Sequence, residues 1–260
     1  MNRTFGIFTA LLMAFCLMAN CSGKDEVTAI RERGSLRVGV KSDVPRFALL
    51  NMGTGALEGM EIDLARALAK DILGNENAVR FIIVGSAQMR AALLLNGEID
   101  VAVATFTITE ERKKIFNFSR SYFTDELSCL VRAGSNIKKL EELDGKTAGV
   151  VRATTAATAF KIKSDKMGIK VSVSEYSSYP ETKQALINGK IDAVVSDKSI
   201  LLGYADEGHV LLDYGFNPQE YGIASKLSNK KLAARIDTLL GKMEKNGELA
   251  AIMQKWDLLP

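Results

Sequence analysis

The chain has 260 residues and a formal net charge of +3, from 34 Lys and Arg against 31 Asp and Glu. This near balance argues against a nucleic-acid-binding protein, in which a basic excess is concentrated on one face. The single histidine, His209, excludes a metal site with several histidines and argues against a Ser-His-Asp triad.

The first 20 residues are predicted to form an export signal. Arg3 is followed by an uncharged stretch over residues 5–19, which is shorter than the about 20 residues of a membrane span but suits a signal peptide. The sequence LMANC that ends it resembles a bacterial lipobox, although Asn20 stands where a smaller residue is usual. We therefore predict a signal peptide over residues 1–20, lipidation of Cys21 and a tether over residues 21–34. The alternative is an ordinary cleaved signal.

The cysteines agree with this interpretation. Cys16 lies inside the predicted signal and Cys21 at its end, so Cys129 is the one thiol left for the folded chain. A single thiol forms no internal disulfide. Its apolar surroundings, LSCLV, indicate a buried small side chain rather than a nucleophile.

Strand-like and helix-like segments alternate after the tether. Strands are predicted over residues 35–40, 81–84 and 100–104, and helices over residues 61–73 and 86–95. The junction LLNGEID at residues 94–100 recurs as LINGKID at residues 186–192, and VGV at residues 38–40 is echoed by AGV at residues 148–150. The alternation predicts parallel α/β layers, and the repeat predicts two similar lobes with a ligand between them.

Arg112 is predicted to lie in the first turn of a short helix that Thr109 caps. A cation there is unfavourable by roughly 0.3–1 kcal/mol, and a bound anion would reverse this effect. The alternative is neutralisation by Glu110 or Glu111.

The second predicted lobe supplies hydroxyls and a carboxylate. Thr154 and Thr155 precede a predicted helix, where hydroxyls and free N–H groups can hold an anion. Asp197 follows a predicted strand, and its alternative role is to cap the next helix. Together, Arg112 and Asp197 supply the two counter-charges of a free amino acid.

At these segments the chain resembles the bacterial extracellular solute-binding proteins of family 3, the amino-acid receptors of ABC importers. The matching segments include GSLRVGV, EGMEIDLARALA, NGEIDVAVATFTITEERKKIFNFSRSYF, GKTAGVV, NGKIDAVVSDKSILLGYA and EYGIASK, and they extend from Gly34 to the end. The aspartate/glutamate-binding branch is the most similar, through VGVKSDVPRFALL, ATFTITEERKKIFNFS and DKSILLGY.

The resemblance implies an α/β fold of the type II periplasmic-binding-protein class, with two lobes, a two-strand hinge and a ligand cleft. Lobe 1 would span residues 35–126 plus 219–260, and lobe 2 residues 127–218. It also implies a monomer in the periplasm or on the cell surface that closes around its ligand and docks on a membrane permease, with the ATPase on separate chains. No cofactor, metal or nucleic acid is expected.

The resemblance also implies roles for individual residues. Arg112 would clamp the ligand α-carboxylate beside Thr154 and Thr155, and Asp197 would accept the ammonium group with help from Thr105 and Thr107. The contacts to a side-chain carboxylate would fall on Lys41, Arg90 and Tyr179. The chain departs from the family at Val44, where many relatives have a stacking aromatic, and at Ala104 and Ala153.

Charge counting favours an acidic ligand. Arg112 satisfies the α-carboxylate, which leaves Lys41 and Arg90 near the cleft without an anion. Burying them unpaired costs several kcal/mol, so a second ligand carboxylate, as in glutamate or aspartate, is the expected partner. The alternatives are a solvated Arg90, a surface Lys41 and a neutral ligand such as glutamine or cystine.

We expect a binding protein rather than an enzyme. The alternative is an enzyme of the same fold, such as a cyclohexadienyl or prephenate-type dehydratase, that recruits Glu58, Glu61 or Asp197.

Overall fold

The structure, a computed structural model, describes residues 25–259. The predicted signal peptide and Cys21 lie outside this range. The strands are β1 (Leu36–Val40), β2 (Asp43–Val44), β3 (Ala48–Leu50), β4 (Leu57–Glu58), β5 (Val79–Ile83), β6 (Val101–Ala102), β7 (Phe116–Arg132), β8 (Thr147–Val151), β9 (Ser172–Tyr176), β10 (Ala193–Asp197), β11 (His209–Leu211) and β12 (Phe216–Lys226).

The helices flank these strands in the α/β pattern that the sequence predicts. They are α1 (Glu26–Arg33), α2 (Met60–Leu73), α3 (Ala87–Asn96), α4 (Glu110–Lys113), α5 (Ala156–Met167), α6 (Tyr179–Ile187), α7 (Lys198–Tyr204), α8 (Lys230–Asn246) and α9 (Glu248–Lys255), with a 3-10 turn at Leu140–Leu143. Within residues 25–259, no helix is long and apolar enough to cross a membrane.

The main sheet contains two parallel units that are joined by two long antiparallel strands. Its order is β5-β1-β6-β12-β7-β10-β8-β9, with β11 added on β7. β1 is parallel to β5 and β6, whereas β8 is parallel to β9 and β10. β7 pairs antiparallel with β12 from Phe116 to Leu127, so these two strands connect lobe 1 to lobe 2. The fold is therefore the two-lobed α/β class with a two-strand hinge.

The repeated sequence junction forms the same structure in each lobe. The first helix of the repeat ends at Gly97, which has a left-handed φ of 72°, and the second is followed by Gly189 with a φ of 69°. The aspartate that follows accepts a hydrogen bond from a backbone N–H near the start of the neighbouring strand. Asp100 accepts from the Arg37 N–H of β1 at 2.8 Å, and Asp192 accepts from the Thr147 N–H of β8 at 2.9 Å. The NGxID motif thus sets where each new strand joins the sheet.

The isoleucine of each repeat packs over the glycine of the VGV or AGV strand. A Cβ on Gly39 would lie 2.5 Å from Ile99 Cδ1, and a Cβ on Gly149 would lie still closer to Ile191 Cδ1. Both isoleucines are fully buried. In each lobe, the two repeated sequence motifs therefore contact each other. The strand glycine has no side chain, and this leaves room for the isoleucine of the NGxID motif.

The segment predicted as a tether contains a helix in its described part. Asp25 caps α1 by accepting a hydrogen bond from the Thr28 N–H at 3.1 Å, and Gly34 ends the helix with a φ of 72°. Val27 and Ile30 are buried in the core of lobe 1. Their spacing of three residues places both on one helix face, so residues 26–33 belong to the lobe rather than to a linker.

Cys129 is a free, fully buried thiol in β7, as the sequence predicts. Burial raises the pKa of Cys129 to about 12, so the thiol is protonated at neutral pH and has little nucleophilic character.

We predict that Gly39→Ala lowers the free energy of unfolding by about 1–3 kcal/mol, the usual cost of overpacking a core. Shortening the opposing side chain should relieve the clash, so Ile99→Val should cost less in the Gly39→Ala background than in the wild type. Urea unfolding of both single variants and the double variant measures this coupling. Gly134→Ala is the control, because a Cβ at Gly134 meets no atom within 4 Å. Additive effects of the two core substitutions would contradict the packing argument.

Candidate functional site

A pocket lies between the lobes, where the carboxyl ends of β1, β6 and β8 approach the first turns of helices. Its cavity volume is about 30 Å³, so in this structure the side chains leave space for little more than a water molecule. Its lining residues are Lys41, Ala87, Arg90, Thr105, Thr107, Arg112, Val151, Thr154, Thr155 and Tyr179. The structure therefore brings together every predicted ligand-binding residue except Asp197, which lies behind the lining.

Lys41 is buried in the pocket wall rather than placed on a surface loop. It follows β1 directly, and its side chain is 8% exposed. Its Nζ lies 3.1 Å from Asp43 Oδ1 and 5.8 Å from the centroid of the Tyr179 ring. Lys41 thus has an anionic partner from its own loop and an aromatic partner from lobe 2.

Arg90 is also buried, in contrast to the solvated helix face that was the alternative. It lies in the first turn of α3, where its Nη1 donates a hydrogen bond to the Ala104 carbonyl at 2.5 Å. Its guanidinium carbon stands 3.7 Å from the centroid of the Phe106 ring. Burial and the positive charge of Arg112 lower the pKa of Arg90 to about 9, which keeps the group charged at neutral pH. Its Nε has no hydrogen-bond partner among the described residues.

Arg112 is held by hydrogen bonds to two threonines that precede its helix. Thr109 caps α4 as predicted, because its hydroxyl accepts a hydrogen bond from the Arg112 N–H at 3.2 Å. Arg112 Nη1 donates to the Thr107 carbonyl at 2.7 Å, and its guanidinium carbon lies 4.7 Å from the centroid of the Phe106 ring. Burial lowers the pKa of Arg112, while the carboxylate of Asp197 opposes this change.

Two of the threonine hydroxyls form hydrogen bonds with Gln219, a residue that the sequence analysis did not identify. Gln219, on β12 and 1% exposed, accepts hydrogen bonds through Oε1 from Thr107 at 2.9 Å and from Thr155 at 2.6 Å. Thr154 instead donates to the Val151 carbonyl at 2.7 Å. The first N–H groups of α5 have no partner within that helix and point to its N-terminal end, where an anion can bind. A glutamine in a hinge strand carries no sequence signal of its own.

Asp197 does not cap α7 with its side chain, although it occupies the cap position. Asp125 of β7 takes that role and accepts a hydrogen bond from the Ser199 N–H at 3.1 Å. Burial and the nearby charge of Asp125 raise the pKa of Asp197 to about 7. Asp197 Oδ1 has no hydrogen-bond partner in residues 25–259, whereas Ser196 donates to Oδ2, and the Tyr221 hydroxyl beside the carboxylate opposes the rise in its pKa.

Glu61 is a second buried carboxylate, and it lies beneath Thr105. Its Oε1 accepts hydrogen bonds from the Thr105 N–H and the Tyr122 hydroxyl, each at 2.5 Å. Thr105 has a positive φ of 43°, which aims its N–H at Glu61. Burial raises the pKa of Glu61 to about 7, although both hydrogen bonds and the cations Arg90 and Lys41 oppose the change. The sequence had suggested Glu61 only as a residue of the enzyme alternative.

Glu58, the other glutamate of that alternative, lies outside the pocket lining. It accepts a hydrogen bond from Asn51 Nδ2 at 2.5 Å on the β3–β4 hairpin. A hairpin role of this kind gives Glu58 no access to a bound ligand.

The charges at the site are balanced in the described part of the chain. The cations are Lys41, Arg90 and Arg112, and the carboxylates are Asp43, Glu61 and Asp197. The premise that neither cation has an anion is therefore wrong for Lys41, which forms an ion pair with Asp43; Arg90 forms no ion pair within residues 25–259, although the charge of Glu61 acts on it. Charge counting no longer requires a second ligand carboxylate. Within residues 25–259, no cluster of His, Cys, Asp and Glu is arranged to hold a metal ion.

We predict that Asp197→Asn stabilises the ligand-free protein at pH 8 by roughly 1–4 kcal/mol, because one pKa unit corresponds to about 1.4 kcal/mol. The folded-state pKa is raised, so the unfolded chain loses its proton near pH 4 and the folded chain only near pH 7. The gain should be absent below about pH 4, grow up to about pH 7 and then stay constant. Urea unfolding across this range measures it, with the exposed Asp213→Asn as control. A gain that does not depend on pH would contradict a buried, ionisable Asp197.

Comparison with known proteins gives one consistent family. Residues 36–258 match the bacterial extracellular solute-binding proteins, family 3. The chain is 38% identical to the ABC transporter glutamine-binding protein GlnH of Bacillus subtilis (strain 168), over 98% of this chain and 97% of the relative. It is 31% identical to the L-cystine-binding protein TcyJ of Escherichia coli (strain K12), over 94% of this chain and 92% of the relative.

A solved structure of an ancestral arginine-binding protein bound to glutamine has the same fold. It superposes with a TM-score of 0.77 at 35% identity and covers 87% of this chain and 99% of its own.

Proposed function

Since the chain belongs to the bacterial extracellular solute-binding proteins of family 3, we propose that it captures glutamine for an ABC importer. The observation that carries this choice of ligand is the charge balance of the pocket: Lys41 forms an ion pair with Asp43, and the charges of Glu61 and Asp197 act on Arg90 and Arg112. A neutral side chain leaves that balance intact. The names of relatives that bind glutamine support the same ligand.

The common part of an amino acid would be held by groups from both lobes. Arg112 would take the α-carboxylate together with the N–H groups at the start of α5, and Asp197 would accept the ammonium group. Charge pairs of this kind contribute strongly to affinity, because the ligand supplies the opposite charge that a buried side chain lacks. Asp197 Oδ1, which has no hydrogen-bond partner in the part of the chain that the structure describes, supports this role.

The side-chain amide of glutamine would meet the end of the pocket that Lys41, Arg90 and Tyr179 line. An amide oxygen can accept a hydrogen bond from Arg90, whose Nε has no partner among the described residues, without adding a charge. A carboxylate at the same place would add a negative charge near Glu61.

Glutamate or aspartate is the second candidate. Two buried cations at the side-chain end of the pocket favour it, because a carboxylate makes stronger hydrogen bonds to a guanidinium than an amide does. Binding of glutamate or aspartate requires Glu61 to be protonated, which removes its negative charge.

The contacts between the lobes support a mechanism of capture by closure. Gln219 joins Thr107 of lobe 1 to Thr155 of lobe 2, and the Tyr204 hydroxyl donates to the Asp43 carbonyl across the cleft. A ligand that binds both lobes stabilises this closed form, and a permease can then distinguish loaded from empty receptor. We propose lobe boundaries at residues 35–126 plus 219–260 and at 127–218, with α1 added to lobe 1.

The family and the relatives are transport binding proteins, so the chain is a binding protein and not a dehydratase. Its family is extracellular, which places it in the periplasm or on the cell surface. Lipid anchoring through Cys21 and a monomeric state remain our proposals.

We expect wild-type protein to bind glutamine at least about thirtyfold more tightly than glutamate at pH 8, where an unbalanced buried charge costs about 2 kcal/mol. Calorimetry with glutamine, glutamate, aspartate and cystine measures the order. Tighter binding of glutamate at this pH would reject glutamine as the ligand.

Arg112→Ala should weaken glutamine and glutamate alike by about 2–5 kcal/mol, or roughly thirtyfold to several-thousandfold, because both share the α-carboxylate. Calorimetry on folded variant protein tests this, and Arg80→Ala, at an exposed arginine outside the pocket, is the control. Unchanged affinity for both ligands would remove Arg112 from the site.

Cys21→Ser should release the protein from the membrane fraction, because lipid transfer needs the thiol. Cys16→Ser, inside the predicted signal, should leave the anchoring unchanged. Fractionation and mass spectrometry of the mature N-terminus measure both. A soluble wild-type protein that begins at another residue would contradict lipidation.

A further inference from the structure

Glu61 is a buried carboxylate that no contact with a ligand explains. It is fully buried at the start of α2, it does not line the pocket, and one of its oxygens, Oε2, has no hydrogen-bond partner among the described residues. A buried unpaired carboxylate oxygen costs free energy that a purely structural role does not recover. Its position beneath Thr105 places its charge directly behind the pocket floor.

We infer that Glu61 sets the side-chain selectivity of the receptor: glutamine binds whether or not Glu61 carries its charge, whereas the carboxylate of glutamate is admitted only when Glu61 is protonated. The inference rests on the proposed amino-acid pocket and adds to it a specificity-determining residue outside the lining. Glu61 acts here through its charge and through Arg90, rather than by touching the ligand.

The charged and hydrogen-bonding groups that act on Glu61 come from β7, α3 and the segments that follow β1 and β6. They are the Tyr122 hydroxyl of β7, the Thr105 N–H after β6, Arg90 of α3 and Lys41 after β1. On α2 itself, Asp63 is engaged elsewhere, 2.7 Å from Lys255 Nζ. Arg90 is the one of these groups that carries both a buried charge and an unpartnered N–H in the described residues.

The charge of Arg90 can be balanced in two ways. With Glu61 ionised, Arg90 already has its counter-charge, and a ligand carboxylate would place a second negative charge in the same low-dielectric region. With Glu61 protonated, Arg90 has no such counter-charge, and a ligand carboxylate supplies it. Glutamate binding is therefore coupled to proton uptake, whereas glutamine binding is not.

The pH range follows from the environment of Glu61. Burial raises its pKa to about 7, so Glu61 is mostly ionised at pH 8 and mostly protonated at pH 6. The affinity for glutamate relative to glutamine should rise about tenfold between pH 8 and pH 6. Asp197 titrates in the same range, but it meets the ammonium group that both ligands share, so its effect cancels in the ratio.

The test is calorimetry of glutamine and glutamate on wild-type protein at pH 6, 7 and 8, in buffers of different ionisation enthalpy. We expect the tenfold change in the ratio, and uptake of about one proton per glutamate at pH 8 with none for glutamine. A ratio that is constant with pH would overturn the role of Glu61 while leaving the glutamine receptor intact. Absence of binding by either amino acid would overturn the proposed function and this inference with it.

Glu61→Gln provides the second arm, because an amide oxygen can still accept from the Thr105 N–H and the Tyr122 hydroxyl. This variant should bind glutamate at least tenfold more tightly at pH 8 than the wild type does, with a glutamate-to-glutamine ratio that no longer depends on pH. Glu58→Gln, at the neighbouring hairpin glutamate outside the pocket, should keep the wild-type pH profile. A pH-dependent ratio that persists in Glu61→Gln would assign the effect to another group. If Glu61→Gln does not fold, the wild-type ratio decides.

Discussion

Charged side chains between the two lobes are buried away from water, and each of them needs a partner of opposite charge. Lys41 meets Asp43 at 3.1 Å, whereas one oxygen of Asp197 has no hydrogen-bond partner in residues 25–259. Because an unpaired buried charge costs several kcal/mol, the proposed ligand would supply the remaining partners. This constraint would connect affinity, selectivity and closure, since the ligand atoms that complete the charge pairs would also bring both lobes into contact.

The two lobes are built on one repeated contact, and this contact places the pocket. In each lobe an aspartate anchors a new strand to its neighbour, and an isoleucine packs over a strand glycine. The carboxyl ends of the parallel strands in both lobes therefore end facing each other. Loops that follow strands hold the polar groups, so the repeat that forms the sheet also positions the functional side chains.

The hinge strands do more than connect the lobes. β12 carries Gln219, whose one oxygen accepts a hydrogen bond from each lobe, and β7 carries Asp125, which caps α7 and raises the pKa of Asp197. Rotation about the hinge would alter these contacts together with the ligand pocket. The same two strands would thus couple closure to the electrostatics of Asp197, the proposed acceptor of the ammonium group.

The sequence alone determined the fold class, the repeat and the pocket residues Arg112, Thr155 and Lys41, because strand–helix periodicity and residues at strand ends are local signals. It did not reveal the contacts of Gln219 or the burial of Glu61 beneath Thr105, and it took the helix α1 for a tether. Which cations have partners depends on groups far apart in the chain: Glu61 is 29 residues before Arg90 and 61 before Tyr122. Only the tertiary structure brings them together, and burial there, rather than residue type, decides how each carboxylate titrates.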